Sequence, residues 1–199
     1  MLVDSHAHLG EDGLFCQWKD LLLRAQAVGV KKVIDICTDK KTLKRGIAIK
    51  EEIPPIEVGL AAATTPHDVE KDAENFFPDL LKALENKQLL AIGEIGLDYY
   101  YEHSSRSAQK KWLIEYFHLA KDVDLPVIFH CRDAFSDLFR FADAEYKSPK
   151  ALLHCFTGTV EEAKEVLARG WGLSLSGIVT YKKSHELRKV AEFIPLDQL

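Results

Sequence analysis

Short apolar runs alternate with longer stretches of helical periodicity along the whole chain, and this alternation constrains the fold more than any other feature. Each run is rich in β-branched residues, and each stretch that follows places apolar residues at helical spacing. The pattern predicts strands at residues 2–9, 32–37, 56–62, 89–95, 126–131, 151–156 and 172–176. It predicts helices at residues 17–28, 40–52, 79–86, 107–123, 134–146, 160–169 and 184–193.

Repeated strand–helix units with nearly continuous apolar strands are typical of a parallel sheet covered by helices. Two α/β architectures fit this pattern, a (β/α)8 TIM barrel and an open doubly wound sheet. The sequence has neither a GxGxxG motif after the first strand nor a GxxxxGK[ST] motif, which disfavours the nucleotide-binding form of the open sheet. With 199 residues, 47% of them hydrophobic, we expect residues 1–199 to form a single domain.

The charge balance limits the kinds of partner that the chain can have. Lys and Arg number 26 against 31 Asp and Glu, so the net charge is −5. This disfavours a basic protein that coats nucleic acid, but it leaves open a nuclease whose bound metal ions supply local positive charge. The sequence has no apolar run of the roughly 18 residues that a membrane span needs, and its N-terminus does not resemble a signal peptide. We therefore expect a cytoplasmic location, reduced cysteines and no membrane contact.

The first predicted strand contains the sequence DSHAH, with Asp4, His6 and His8 at alternate positions. Side chains along a strand alternate between its two faces, so these three point the same way. Two imidazoles at this spacing can hold one metal ion, but an HxH sequence is also common by chance in a packed or solvated strand. This motif alone leaves both interpretations open.

The later strands favour the metal interpretation. Glu94, His130 and His154 each lie at the end of an apolar strand and directly before a loop, where active sites of barrels are found. We therefore predict a metal site made of His6, His8, Glu94, His130 and His154. Such donors suit Zn²⁺, Mn²⁺, Fe²⁺ or Ni²⁺, and with carboxylates and water also Mg²⁺. Because one ion seldom takes five protein ligands, two ions bridged by a catalytic Glu94 fit best.

The residues next to these ligands allow more than one role. Cys131 and Cys155 follow histidines, and strand alternation therefore turns them toward the helices as buried small hydrophobes. Arg132 fits either a phosphate-binding role or a surface salt bridge. The tyrosines at 99–101 can stack on bases or pack a loop, and packing is the more common outcome. The sequence has no GxSxG nucleophile elbow, so acyl-enzyme chemistry has no support.

Four motifs fall in order along the chain: DSHAHL, GEIGLDYY, LPVIFHCRDA and LLHCFTG. Together they resemble the TatD-type metal-dependent hydrolases, also called TatD-related deoxyribonucleases, of the amidohydrolase superfamily. The resemblance implies a TIM barrel with His6 and His8 on one metal, His130 and His154 on the other, and Glu94 between them. It also implies metal-dependent hydrolysis of DNA phosphodiesters, often as a 3′–5′ exonuclease, through in-line attack of water without a covalent intermediate.

The chain departs from the family pattern in two places. The family usually carries a GxHPH-like sequence after the third strand, whereas here His67 matches only one of those histidines. The family also continues into an eighth strand that carries an Asp ligand, whereas this sequence stops at IPLDQL. We therefore expect a barrel that is incomplete at its C-terminal end.

The leading hypothesis is a deoxyribonuclease that needs two divalent metal ions (Zn, Mg, Mn or Ni). Its expected substrate is DNA, with single-stranded DNA as one form, and no stable protein partner is expected. A second hypothesis is another amidohydrolase-type hydrolase acting on a small phosphorylated, ester or amide substrate. A third, if the chain truly ends at Leu199, is an inactive metal-binding scaffold. Cleavage of single-stranded DNA that a chelator stops would favour the first.

Overall fold

Seven parallel strands form one curled sheet in the computed structural model, which describes residues 2–199. The strands pair in chain order, so each strand–helix unit adds one strand beside the previous one. This confirms the predicted α/β architecture, with the strands arranged as in a TIM barrel. The strands are β1 (Leu2–Ala7), β2 (Val30–Cys37), β3 (Glu57–Ala62), β4 (Ala91–Asp98), β5 (Val127–Arg132), β6 (Ala151–Leu153) and β7 (Gly172–Leu173).

Helices follow the strands and cover the outer face of the sheet. They are α1 (Asp12–Phe15), α2 (Trp18–Ala27), α3 (Lys40–Glu51), α4 (Val69–Glu85), α5 (Arg106–Asp122), α6 (Phe135–Phe141), α7 (Val160–Ala168) and α8 (His185–Phe193). A π-helical turn at Ala142–Tyr146 extends α6, and 3₁₀ turns lie at Gly177–Thr180 and Leu196–Gln198. No helix that the structure describes is long and apolar enough to cross a membrane.

The prediction for α4 was wrong at its start, which was placed at residue 79 but lies at Val69. Pro78, which usually ends a helix, lies inside α4 at an exposed position. The helix continues through it because one apolar stripe runs along both halves and packs in the core. The short helix α1 was not predicted, and β1 ends at Ala7 rather than at residue 9.

Two apolar layers hold the sheet in place. The larger layer lies between the sheet and the helices, where Phe129 of β5 contacts Phe117 of α5 at 5.8 Å and Trp171 at 4.9 Å between ring centroids. The smaller layer lies inside the curl of the sheet and is made of Ile36, Ala61, Ala91 and Ile128. Side chains two residues apart on a strand share a face. His130 therefore lies on the same inner face as Ile128, two residues nearer the carboxyl end of β5.

The two outer strands of the sheet do not pair with each other. Within the described residues β1 pairs only with β2, and β7 pairs only with β6. A cleft of about 850 Å³ lies between these strands, and His6, His8 and His154 line it. Leu2 and Val3 of β1 are 58% and 46% exposed beside it. Among residues 2–199 the curl is therefore open along one side, next to the predicted site.

Candidate metal centre

Four imidazole rings converge on the two oxygens of a single carboxylate, that of Glu94. Oε1 lies 3.0 Å from Nδ1 of His130 and 2.9 Å from Nε2 of His154. Oε2 lies 3.2 Å from Nε2 of His6 and 3.9 Å from Nε2 of His8. The structure thus brings all five predicted residues together, with one pair of histidines at each oxygen.

The sheet explains why residues so far apart in sequence meet. Glu94 and His130 lie on the neighbouring strands β4 and β5, while His154 directly follows β6. His6 lies near the end of β1 and His8 just after it, and the curl brings β1 round to face β4 and β6. The carboxyl ends of parallel strands open to one side of the sheet, as the sequence predicted.

The electrostatics of the cluster suit a cation. Burial raises the pKa of Glu94, but contacts with His130, His154 and His6 outweigh burial and hold this pKa well below its usual range. Burial lowers the pKa of His6, and burial together with the nearby His6 ring lowers that of His8. The lowered pKa values of Glu94, His6 and His8 favour the deprotonated form that a metal ion requires of such ligands.

A second group of ligand-type atoms adjoins the first. Oδ2 of Asp98 lies 2.8 Å from Nε2 of His130 and 3.5 Å from Nε2 of His67. His130 therefore contacts a carboxylate through each of its ring nitrogens. Burial lowers the pKa of His130, but Glu94 and Asp98 together raise it above its usual value. Asp98 was missed in the sequence, although it ends the same strand as Glu94, four residues further on.

The other oxygen of Asp98 holds the loop that follows β4. Oδ1 accepts hydrogen bonds from the backbone N–H of Tyr100 at 3.0 Å and of Tyr101 at 2.8 Å. Gln109 of α5 holds the backbone of Asp98 from both sides, accepting from its N–H and donating to its carbonyl. Burial raises the pKa of Asp98, but the Tyr101 amide and the His130 ring lower it below its usual value.

The residues present fit divalent metal ions. The ligand atoms of His6, Glu94 and His154 lie within 4.8 Å of one another, as do those of His67, Asp98 and His130. The rings of His6 and His154 are parallel, with centroids 3.7 Å apart. Imidazole nitrogens and carboxylate oxygens without thiolate are a donor set for Zn²⁺, Mn²⁺, Fe²⁺ or Ni²⁺.

The two cysteines next to the histidines, and Asp4 of the first strand, lie outside these groups of ligand-type atoms. Cys131 is buried in the layer between the sheet and the helices, as predicted. The same prediction was wrong for Cys155, which is half-buried and lines the cleft beside His154, with Sγ 3.1 Å from the hydroxyl of Ser176. Neither thiol belongs to either group of ligand-type atoms. The side chain of Asp4 turns back and accepts a hydrogen bond from the backbone N–H of His6. Of the DSHAH motif, the two histidines therefore face Glu94 and the aspartate does not.

The structure separates the alternatives for Arg132 and the tyrosines. Within the described residues Arg132 has no carboxylate partner, so a salt bridge is excluded there. Its guanidinium instead lies 4.0 Å from the ring centroid of Tyr100 and 5.0 Å from that of Tyr101.

The three tyrosines differ in their surroundings. Tyr99 packs the loop, and its hydroxyl donates to Asp137 at 2.6 Å. Tyr100 and Tyr101 are instead 57% and 51% exposed. The packing interpretation thus holds for only one of the three tyrosines.

Comparison with known sequences gives a consistent result. A family model described as TatD related DNase matches residues 3–199. The chain is 32% identical over its whole length to the "Uncharacterized metal-dependent hydrolase YabD" of Bacillus subtilis, covering 78% of that protein. It is also 32% identical over 182 residues to the "3'-5' ssDNA/RNA exonuclease TatD" of Cronobacter sakazakii. This alignment covers 90% of the present chain and 68% of the Cronobacter protein.

Solved structures show the same relationship in three dimensions. The crystal structure of YJJV, a TatD homologue from Escherichia coli, superposes with a TM-score of 0.88 at 28% identity, over the whole chain and 76% of YJJV. A TatD family hydrolase from Entamoeba histolytica superposes with a TM-score of 0.87 at 26% identity, over the whole chain and 71% of that protein. The curled sheet is thus shared with these proteins.

Proposed function

This chain belongs to the TatD-related DNase family, a family of metal-dependent hydrolases acting on ester bonds, and we propose that it cleaves phosphodiester bonds of DNA. The observation that carries the proposal is the convergence of four imidazoles on the two oxygens of Glu94. The family name and the exonuclease name of the Cronobacter relative support phosphodiester chemistry and 3′–5′ polarity.

The geometry divides the proposed ligands into two sets. His6 and His8 would hold one divalent ion with Oε2 of Glu94, while His130 and His154 would hold a second with Oε1. Glu94 would then be the bridge. Ions held by these residues would supply an activated water and stabilise the charge that develops in an in-line displacement. Zn²⁺, Mg²⁺, Mn²⁺ and Ni²⁺ are the candidates.

Protein groups around this centre would prepare it and bind the substrate. Oδ2 of Asp98 lies 2.8 Å from Nε2 of His130 and would accept its proton, which would leave the lone pair of Nδ1 directed toward the centre. Arg132 lies two residues after His130 on the same face of β5, and its guanidinium has no carboxylate partner among the described residues. Its planar donors match a phosphate group. Arg132 would therefore bind a phosphate of the DNA backbone in a chain whose net charge is negative.

A cleavage assay on labelled oligonucleotides tests the proposal. Purified protein is incubated with 5′-fluorescein single-stranded DNA and Mn²⁺ or Mg²⁺, with and without EDTA. We expect products that shorten from the 3′ end, loss of cleavage with EDTA, and resistance of a strand whose 3′ end is blocked. Hydrolysis of p-nitrophenyl phosphate without DNA cleavage would instead indicate a small-molecule hydrolase. Bound metal without turnover on either substrate would indicate a scaffold.

A further inference from the structure

A buried carboxylate on β2 holds the segment that directly follows His8. Asp35 is fully buried, and its Oδ1 accepts the backbone N–H of Leu9 at 2.6 Å. Burial raises the pKa of this carboxyl, but the backbone N–H groups of Leu9 and Gly10 both lower it. The two amides that follow His8 therefore interact with one acceptor, which lies on the neighbouring strand.

Strand pairing leaves this part of β1 without regular support. The register between β1 and β2 shifts between Asp4 and Ala7, and the last pair of the ladder is Ala7 with Asp35. His6 therefore lies within the irregular stretch, and His8 lies beyond the last pair. The carboxylate of Asp35 takes over just where the backbone pairing ends.

A second side chain holds the same segment from α3. Nη1 of Arg45 donates to the backbone carbonyl of Gly10 at 2.8 Å and also lies 2.8 Å from Oδ1 of Asp12. The guanidinium lies 4.6 Å from the ring centroid of Phe15. A hydrogen bond from a charged donor is stronger than one between neutral groups. We call Asp35 and Arg45 the β2–α3 clamp, because they hold this segment from these two elements.

Helix α3 leaves room for the buried carboxylate at Gly46. A Cβ atom on this residue would lie 3.1 Å from Oδ2 of Asp35 and 2.9 Å from Sγ of Cys37. Oδ2 has no hydrogen-bond partner among the described residues, and a buried oxygen without a partner costs stability. A side chain kept at such a cost calls for a role beyond packing. The contact with the segment after His8 supplies one.

We propose that Asp35 and Arg45 are positioning residues that fix His8, and with it the half of the metal centre that His6 and His8 would form. This inference rests on the proposed function, since it concerns the same ligands. The ring of His8 lies 3.9 Å from Oε2 of Glu94, and its side chain is 35% exposed. Its place in the centre therefore depends on the backbone that carries it, which the clamp holds.

The other half of the centre lies on other strands. His130 lies on β5 and His154 directly after β6, and both contact Oε1 of Glu94. The clamp itself belongs to β2 and α3. Loss of the clamp should therefore weaken the binding of one ion of two, whereas a general loss of structure would release both.

Graded removal of metal tests the clamp apart from hydrolysis. Protein loaded with Zn²⁺ is dialysed against increasing concentrations of chelator, and elemental analysis gives the zinc retained per chain. We expect two ions to leave the unmodified protein in turn. In Asp35→Ala and in Arg45→Met the first ion should leave at a free-zinc concentration about tenfold higher or more, as typically follows loss of a group that orients a ligand. The second ion should leave as it does from the unmodified protein.

Two matched variants serve as controls. Asp35→Asn keeps an oxygen that can accept the Leu9 N–H, and it should retain both ions as the unmodified protein does. Arg24→Met changes an exposed arginine of α2 and should also retain both. Hydrogen exchange of the Leu9 amide, followed by NMR, should be faster in Asp35→Ala and restored in Asp35→Asn, which reports on the contact itself.

The outcomes separate this inference from the proposed function. If the unmodified protein binds two ions and both clamp variants release them as it does, the clamp is overturned even if the protein cleaves DNA. Loss of both ions at once, with a lower melting temperature, would show a purely structural role and would overturn it as well. Selective loss of one ion would support the clamp even if no cleavage were found. An unmodified protein that retains no zinc would overturn the proposed metal centre, and the clamp with it. Arg45→Met, at a partly exposed position, decides if Asp35→Ala does not fold.

Discussion

Asp98 and His130 lie 2.8 Å apart, carboxylate Oδ2 to ring Nε2, so that His130 contacts Asp98 through one ring nitrogen and Glu94 through the other. With the proton on Nε2, the Nδ1 lone pair points to the side of Glu94, 3.0 Å away. Asp98 also accepts the backbone N–H groups of Tyr100 and Tyr101 on the loop that follows β4. One buried carboxylate therefore contacts a proposed metal ligand and holds this loop at the same time.

Replacing Asp98 by alanine should weaken metal binding. The change removes the acceptor of Nε2 and frees the His130 ring to rotate, and loss of such a partner typically costs about 10–100-fold in affinity. Competition with a chromogenic chelator measures this affinity. Asp20→Ala, an exposed aspartate on α2, is the matched control and should bind metal as the unmodified protein does. Equal affinity in the two variants would show that Asp98 does not position His130.

Glu94→Gln should lower the metal content and abolish hydrolysis. The amide keeps the size of the side chain but loses its charge and one of the two oxygens, which together contact four histidines. Metal stoichiometry by elemental analysis checks the change. Cys131→Ala is the control, because its thiol lies outside both groups of ligand-type atoms, and its metal content should stay unchanged. A full complement of metal in Glu94→Gln would contradict the bridging role.

Arg132→Lys should raise the KM for DNA with less effect on kcat. Lysine keeps the charge but loses the planar donors that match a phosphate, and a hydrogen bond to a charged group is worth roughly 1.5–3 kcal/mol. We therefore expect KM to rise by about tenfold or more. Steady-state kinetics on single-stranded DNA provide the measurement, with the exposed Arg24 of α2 changed to Lys as control. A fall in kcat at constant KM would place Arg132 in the chemical step instead.

Asp35 should make the protein less stable as the pH rises from about 4 to about 7. Burial raises the pKa of this fully buried carboxyl from 3.8 to about 7, even though one oxygen accepts the backbone N–H of Leu9. The unfolded chain releases the Asp35 proton near pH 4, and the folded chain releases it only near pH 7. Between pH 4 and pH 7 the folded state therefore binds more protons than the unfolded state. The free energy of unfolding consequently falls as the pH rises through this range.

Asp35→Asn should remove most of this dependence. At about 1.4 kcal/mol per pKa unit, ionisation of Asp35 costs the folded state about 4 kcal/mol above pH 7. Urea unfolding of both proteins at pH 5 and pH 8 gives the comparison, and the difference between the proteins cancels the contributions of other groups. The free energy of unfolding of the Asn variant, relative to that of the unmodified protein, should be higher at pH 8 than at pH 5. A constant difference at the two pH values would show that Asp35 titrates normally.

The parts of the site that the sequence predicted are those that depend on strand periodicity. His130 and His154 could be placed because each lies at the end of an apolar run, and the ends of parallel strands open to the same side. His6 was found from its spacing to His8. Glu94 was found as well, but it lies inside β4, which continues to Asp98, and not at the strand end where it was predicted. That reasoning needs only local pattern. It therefore found the four strands that contribute to the centre and the orientation of Cys131.

What the sequence did not predict depends on contacts between distant segments. Asp98 and His130 are 32 residues apart, and no local pattern marks Asp98 as the partner of a histidine. The start of α4 was missed because Pro78 signals an end, while packing of an apolar stripe on both sides of it carries the helix through. Arg132 was undecided because its lack of a carboxylate partner appears only in three dimensions.

The histidine cluster joins the first strand of the sheet to the segment after the sixth. His6 lies on β1 and His154 directly after β6, yet their rings stack with centroids 3.7 Å apart. The cluster therefore exists only when the sheet is fully curled. An ion bound by both histidines would bind the folded chain and not the unfolded one, and it would raise the free energy of unfolding in proportion to the logarithm of its concentration.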